Sequence, residues 1–100
     1  MPHLICYDIT DNNLRTRMGK KILEYGLDRI NKSVYLGAIQ TTPLQQLEQL
    51  LADLIRTKGG PNDSVLVISV AAQQVQEMHI YGRNDLDPDE LSGRKSTLIL

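Results

Sequence analysis

An apolar run near the start of the chain, residues 4–9, constrains the fold more than any other stretch. It is rich in residues that favour strands, and the carboxylate of Asp8 is its only charged group. Because burial of an unpaired carboxylate costs several kcal/mol, we expect Asp8 to lie at the rim of a sheet. Asp11 follows closely and is suited to begin a helix, since its side chain can accept backbone N–H groups there.

Helical periodicity begins after Asp11. Apolar residues recur at spacings of four, four and three: Leu14, Met18, Ile22 and Tyr25. Gly26 is expected to end this helix. Four basic residues lie away from its apolar face: Arg15, Arg17, Lys20 and Lys21. These cations, expected beside Asp8, form either a solvated helix face or a surface for an anionic partner.

The rest of the chain alternates strands with one long helix. Four further strands are predicted, at residues 30–36, 38–41, 64–70 and 77–81. Gly37 is interpreted as a break or bulge, and Thr42 and Pro43 predict the start of a second helix that Gly59 ends. One domain therefore covers residues 1–82. Residues 83–100 are predicted to be a polar tail whose apolar end, residues 97–100, adds as an edge strand.

This order of elements predicts an α+β fold: a ferredoxin-like βαββαβ arrangement with an additional C-terminal strand. Such a sheet carries helices on one face only. The first strand, however, is apolar on both faces, with Ile5 and Tyr7 on one side and Leu4 and Cys6 on the other. We therefore expect a second copy of the chain to cover the open face, giving a homodimer with its sheets facing each other.

Composition excludes several classes of protein. Cys6 is the only cysteine, so no disulfide framework or thiol zinc site is expected. His3 and His79 are too far apart in sequence to form a recognisable metal motif. No run reaches the ~18 apolar residues of a membrane span, and the first residues do not resemble a signal peptide. The expected setting is cytoplasmic, without a membrane partner.

Several short motifs, in order, carry a family resemblance. They are Tyr7-Asp8-Ile9-x-Asp11, the pair Arg15 and Arg17, Tyr25-Gly26, Lys32-Ser33-Val34-Tyr35 and Asp63-Ser64-Val65. Over residues 3–81 the chain resembles the small CRISPR-associated endoribonuclease family. It departs from the family pattern at four positions: Leu14, Asn31, Tyr35 and Leu36.

The resemblance implies a homodimer that partners the CRISPR integrase during spacer acquisition. It also implies that Asp8 and its dimer mate hold Mg²⁺ or Mn²⁺, which would polarise a phosphate and help to form the attacking hydroxide. The residues expected to bind nucleic acid, either duplex DNA or single-stranded RNA, are Arg15, Arg17, Lys20 and Ser33.

Each of these residues also has a structural interpretation. Asp8 could be a helix-start or interface acid bonded to backbone N–H groups, and Ser33 could simply bond its neighbours on a strand. Asp11 is better suited to capping than to metal binding.

Two functions from different classes remain open. One is a metal-dependent endonuclease acting on phosphodiesters. The other is a non-catalytic dimeric adaptor that binds duplex DNA and scaffolds the integrase. The sequence favours neither function decisively, but one candidate catalytic acid per chain makes a sparse active site, since two-metal nucleases usually carry more carboxylates. A third class, a regulatory module that binds a small metabolite, has no ligand signature in the sequence.

Overall fold

The computed structural model describes residues 1–93, which form an antiparallel sheet with helices packed on it. The elements in chain order are β1 (Pro2–Asp8), α1 (Asn12–Glu24), β2 (Asp28–Asn31), β3 (Val34–Ala38), α2 (Thr41–Lys58), β4 (Ser64–Ser69), α3 (Ala72–Gln76) and α4 (Pro88–Ser92). The strand order is β2-β3-β1-β4, so β2 and β4 form the two edges of this sheet. The predicted ferredoxin-like α+β fold is confirmed.

The main core lies between the sheet and the two long helices. The sheet and both helices contribute fully buried members, among them Ile5, Met18, Ile22, Leu47 and Leu51. These are the apolar positions that helical spacing and strand alternation select, which is why periodicity predicts this side of the molecule well.

The predicted boundaries of α1 are confirmed. The Asp11 carboxylate accepts the backbone N–H of Leu14 at 2.8 Å and caps the helix. Gly26 follows the helix with φ of 93°, a left-handed conformation that costs little only for glycine. The start of α2 differs from the prediction, because Thr42 is already helical and Gln40 is the cap residue, without a side-chain hydrogen bond.

The hairpin between β2 and β3 corrects the prediction of one strand over residues 30–36. The chain turns at Lys32 and Ser33, and Ser33 adopts a left-handed φ of 64°. Gly37 is not a break but lies inside β3. A Cβ atom there would lie 3.1 Å from the Cα of Leu27, so the backbone of Leu27 can pack closely only against glycine.

The second face of the sheet also differs from the prediction. Residues 77–81 do not form a strand, and part of the predicted polar tail forms α4, which packs against β3. A second cluster of buried side chains joins β3 to the two short helices: Leu36, Val75 and Leu91. Over β4 the face stays open, with Leu66 54% and Ile68 48% exposed. The predicted edge strand at residues 97–100 lies outside the described residues.

Arg83 fixes the segment that leads into α4. Its Nη1 group donates to the carbonyl oxygens of Arg29 at 2.9 Å and Ile30 at 3.1 Å. Its Nε and Nη2 groups donate to the carboxylate of Asp85, which lowers the pKa of that side chain. The backbone of β2 is thereby bonded to a residue more than fifty positions later in the chain.

Over the described part of the chain, every helix is too short or too polar to cross a lipid bilayer.

Candidate functional site

Asp8 lies at the end of β1, paired in register with Ser64 of β4. Its side chain is exposed, and within residues 1–93 it makes no hydrogen bond or ion pair. The backbone bond at the helix start is made by Asp11 instead. Alternation along β1 places Asp8 on the face of Leu4 and Cys6, opposite the face that carries the long helices.

A basic groove lies on that opposite, helix-covered face, between α1 and the β2–β3 hairpin. Its volume is about 760 Å³, and four cations line it: Arg15 and Lys20 from α1, Arg29 from β2 and Lys32 from the turn. Ser33 also lines the groove but lies in the turn, not on a strand as predicted. Arg17 is exposed on α1 outside the groove.

The groove therefore brings together three of the residues selected from the sequence, namely Arg15, Lys20 and Ser33. Sequence reasoning did not select Arg29 and Lys32 as site residues. The signal in the sequence is the excess of basic over acidic residues between positions 12 and 33. Because the predicted second strand has the wrong bounds, it does not show which of these basic residues lie on the same side of the sheet as α1.

Two tyrosines form the base of the basic groove. The hydroxyls of Tyr7 and Tyr35 lie 3.1 Å apart, and Tyr7 also donates to the carbonyl oxygen of Arg15 at 3.4 Å. Since Tyr7 has only one proton to donate, Tyr35 is the donor between the two phenols. Burial, together with the hydrogen bond that Tyr35 donates to Tyr7, raises the pKa of Tyr35 to about 12, so it stays protonated and holds β1, β3 and α1 together.

The loop after Asp8 is held from two sides. Nη1 of Arg15 donates to the carbonyl oxygen of Ile9 at 3.0 Å. One carboxylate oxygen of Asp63 accepts the backbone N–H of Thr10 at 3.0 Å and its hydroxyl at 3.1 Å, while the other accepts the N–H of Gly60 at 2.8 Å. These bonds, led by the one from Gly60, lower the pKa of Asp63. The rim of the sheet that carries Asp8 is therefore well anchored.

The structure also separates two features that the sequence placed side by side. Asp8 faces away from the basic groove, so a single chain does not present its carboxylate and these cations to the same phosphate. No group of three or more histidine, cysteine, aspartate or glutamate side chains in residues 1–93 is arranged to hold a metal. At the end of β1 one chain offers the exposed carboxylate of Asp8, a type of ligand that suits an ion such as Mg²⁺ that keeps several of its waters.

Gly19 lets the two tyrosines approach α1. A Cβ atom at this position would lie 2.5 Å from the hydroxyl oxygen of Tyr35 and 3.1 Å from that of Tyr7. We expect Gly19→Ala to lower the free energy of unfolding by about 1–2 kcal/mol, because an overpacking cost of about 1–3 kcal/mol exceeds the gain of about 0.5–1 kcal/mol from replacing a helical glycine. Urea denaturation followed by circular dichroism measures this change.

A second background isolates the cause. In Tyr35→Phe the hydroxyl that the new methyl group would meet is absent, so Gly19→Ala should cost less there than in the wild-type chain. An equal cost in both backgrounds would show that the clash with Tyr35 is not the reason for the glycine.

Comparison with known proteins agrees with this fold. The family model for the CRISPR associated protein Cas2 matches residues 1–78. The CRISPR-associated endoribonuclease Cas2 of Thermofilum pendens is 29% identical over 82 residues, which cover 82% of this chain and 84% of that protein. The protein of the same name from Korarchaeum cryptofilum is 30% identical over 80 residues, covering 80% and 83% of the two chains.

Two further comparisons concern a fusion protein and a solved structure. A Cas1/Cas2 fusion endonuclease from Thermoproteus tenax is 31% identical over 67 residues, covering 67% of this chain and 24% of the fusion. The crystal structure of Streptococcus pyogenes Cas2 superposes with a TM-score of 0.68 at 18% identity, covering 82% of this chain and all of that one. The family resemblance seen in the sequence is thus confirmed, and the chain belongs to the CRISPR-associated Cas2 family.

Proposed function

We propose that this protein acts in the cytoplasm as a homodimer in CRISPR adaptation, where it binds nucleic acid, partners the integrase and hydrolyses phosphodiesters with Mg²⁺ or Mn²⁺ at paired Asp8 residues. Membership of the Cas2 family gives the role in CRISPR adaptation. Relatives named endoribonucleases support the nuclease activity, and the relative fused to Cas1 supports the integrase as partner.

The position of Asp8 on the open face of the sheet is the observation that carries the catalytic part of this proposal. The same face exposes Leu66 and Ile68, whose register partners on β1 are Cys6 and Leu4. Exposed apolar side chains of this size on one face favour a covering partner. A second copy stacked there would bring two unpaired Asp8 carboxylates toward one shared region.

The chain itself supplies hard oxygen ligands and a rigid support for them. Asp8 from each copy would hold the ion, together with water molecules. When bound, the ion supplies polarisation of the phosphate and an acidified water. Asp63 and Arg15 keep the loop after Asp8 in place through their bonds to Thr10 and Ile9, so the carboxylates need not be reordered on binding.

The adaptor function is the second candidate, and one observation favours it. Asp8 and the basic groove lie on opposite faces of the sheet, so a strand held in the groove of one chain is not presented to the Asp8 of that chain. A dimer that binds duplex through its basic surfaces would then scaffold the integrase without cutting what it holds.

Metal removal separates the two functions. We expect the purified protein to cleave RNA or DNA with Mg²⁺ or Mn²⁺ and to stop cleaving in excess EDTA, while its affinity for nucleic acid stays within about twofold because binding rests on cations. Gel analysis of labelled strands and fluorescence anisotropy measure the two quantities. Cleavage that persists in EDTA would contradict a metal at Asp8, and binding without cleavage in either metal would establish the adaptor.

A further inference from the structure

The hairpin side of the basic groove contains two cations that the proposed function does not use, Arg29 and Lys32. We propose that the groove binds the phosphodiester backbone of one nucleic-acid strand, with Arg29 and Lys32 completing a site that Arg15 and Lys20 begin. This inference rests on the nucleic-acid binding proposed above. It adds the second side of the site, and it predicts that binding there is independent of base sequence.

Arg29 is positioned by its place in the sheet. It pairs in register with Tyr35, and paired residues of neighbouring strands project from the same face. Tyr35 forms the base of the groove, and the charge of Arg29 acts on its hydroxyl. The guanidinium of Arg29 therefore lies on the groove side of the sheet. Its backbone is held separately, because Arg83, which does not line the groove, donates a hydrogen bond to the carbonyl oxygen of Arg29.

Lys32 is positioned by the turn. The left-handed conformation of Ser33 reverses the chain directly after Lys32. The carbonyl oxygen of Ser33 then accepts the backbone N–H of Tyr7 at 3.1 Å, so the tip of the hairpin is tied to the central strand β1. Because the backbone on both sides of the groove is fixed, the cations lose little freedom when a strand binds.

The chemistry of the lining fits a phosphodiester chain. Four cations face one acid, Glu24, which is itself paired with Lys21 at 3.5 Å. The excess of positive charge suits a strand that carries one negative charge per nucleotide. Leu23, which is half exposed, offers an apolar contact for a sugar.

The lining gives little means of recognising bases. The rings of Tyr7 and Tyr35 lie 5.9 Å apart and pack against each other, and Tyr35 is buried. Both phenol protons are already donated within the protein. Because these tyrosines already pack and hydrogen-bond within the protein, contacts of the cations to the backbone are expected to dominate, and such contacts carry no sequence information directly.

The test compares two double variants that remove the same charge. Arg29→Gln/Lys32→Gln changes the groove, and Arg56→Gln/Lys58→Gln removes two exposed cations at the end of α2, outside it. Fluorescence anisotropy with a labelled duplex and with the matching single strand gives Kd at several KCl concentrations. We expect the groove variant to bind about 10-fold more weakly and the slope of log Kd against log salt to fall by about 0.9 per lost duplex contact, or about 0.7 for a single strand.

The remaining arms make the result decisive. The Kd of the control variant should stay within about twofold of the wild-type value. The charge-conserving variant Arg29→Lys/Lys32→Arg should also keep a near wild-type Kd, because phosphate neutralisation depends chiefly on charge. A scrambled duplex should bind equally well. A larger loss with the single strand than with the duplex, or the reverse, identifies which form enters the groove.

Failure of this inference differs from failure of the proposed function. If wild type binds nucleic acid but the groove variant matches the α2 variant in Kd and slope, the groove is not the site and the inference is wrong. If wild type binds neither probe even at low salt, the nucleic-acid binding proposed for the whole protein is wrong as well. Loss of cleavage alone leaves the groove intact as a binding site.

Discussion

Asp8→Asn should reduce metal-dependent cleavage by roughly 100-fold or more, because a bound ion supplies several kcal/mol of transition-state stabilisation and about 1.4 kcal/mol corresponds to a tenfold rate. The substitution keeps the shape of the side chain and removes its charge. Within residues 1–93 the carboxylate has no partner, so the variant should unfold at the same urea concentration as wild type. Initial rates of strand cleavage over a range of Mg²⁺ concentrations measure the loss.

The separation of the two faces makes this prediction sharper. Because Asp8 points away from the basic groove, Asp8→Asn should bind duplex within about twofold of wild type, apart from a small gain from losing a negative charge. Glu48→Gln, which removes an exposed carboxylate from α2, is the matched control and should leave both cleavage and binding unchanged. Cleavage retained in Asp8→Asn would place the metal elsewhere, and loss of duplex binding would show that Asp8 is not separate from the binding surface.

Arg15→Gln/Arg17→Gln should weaken duplex binding about 10- to 100-fold near physiological salt and reduce the salt slope by about 1.8, since each lost phosphate contact removes about 0.9. The two arginines act differently. Arg17 is exposed outside the groove, whereas Arg15 lines the groove and also donates to the carbonyl oxygen of Ile9. Anisotropy titrations of the double variant and of each single variant separate their contributions.

The single variants also differ in stability. Arg17→Gln should affect binding alone, while Arg15→Gln should also cost about 0.5–1.5 kcal/mol of unfolding free energy through the lost hydrogen bond to Ile9. The α2 variant Arg56→Gln/Lys58→Gln again controls for the general loss of positive charge. An unchanged salt slope in the double arginine variant would place the duplex on another surface.

The first half of the fold could be predicted because its signals are local. Three features depend only on residues that are close together in the sequence: the alternation in β1, the helix cap at Asp11 and the helix end at Gly26. The hairpin could not be predicted in the same way. Ser33 adopts a left-handed conformation that is more typical of glycine. Gly37 is required because the backbone of Leu27 packs closely against it, and that contact is not visible in the sequence.

The two short helices were missed for a different reason. A helix of five residues is too short to show an apolar period, and α3 and α4 each bury one apolar side chain, Val75 and Leu91. Their packing near β3 comes from the tertiary structure, which the polar composition around α4 does not indicate. Because the short helices cover part of this face, the surface predicted to meet a second copy is limited to the open region over β4.

The structure differs from the sequence prediction in how the candidate site residues are arranged. Asp8 and Arg15 were selected from strand position, charge and family resemblance, yet their opposite orientation follows from alternation that places Tyr7, not Asp8, beneath α1. The sequence does not single out Arg29, because the predicted strand begins at residue 30 whereas β2 begins at Asp28. Once β2 is known to begin at Asp28, the pairing of Arg29 with Tyr35 places its charge on the groove side.

Arg83 has a consequence for where copies of the chain can join by strand pairing. Its bonds occupy carbonyl oxygens of Arg29 and Ile30 on β2, so an incoming strand could not use them. Among residues 1–93, β4 at the other border of the sheet has no such cover. Among the described residues, strand pairing between chains is therefore expected at the β4 edge and not at β2, in addition to any contact through the open face.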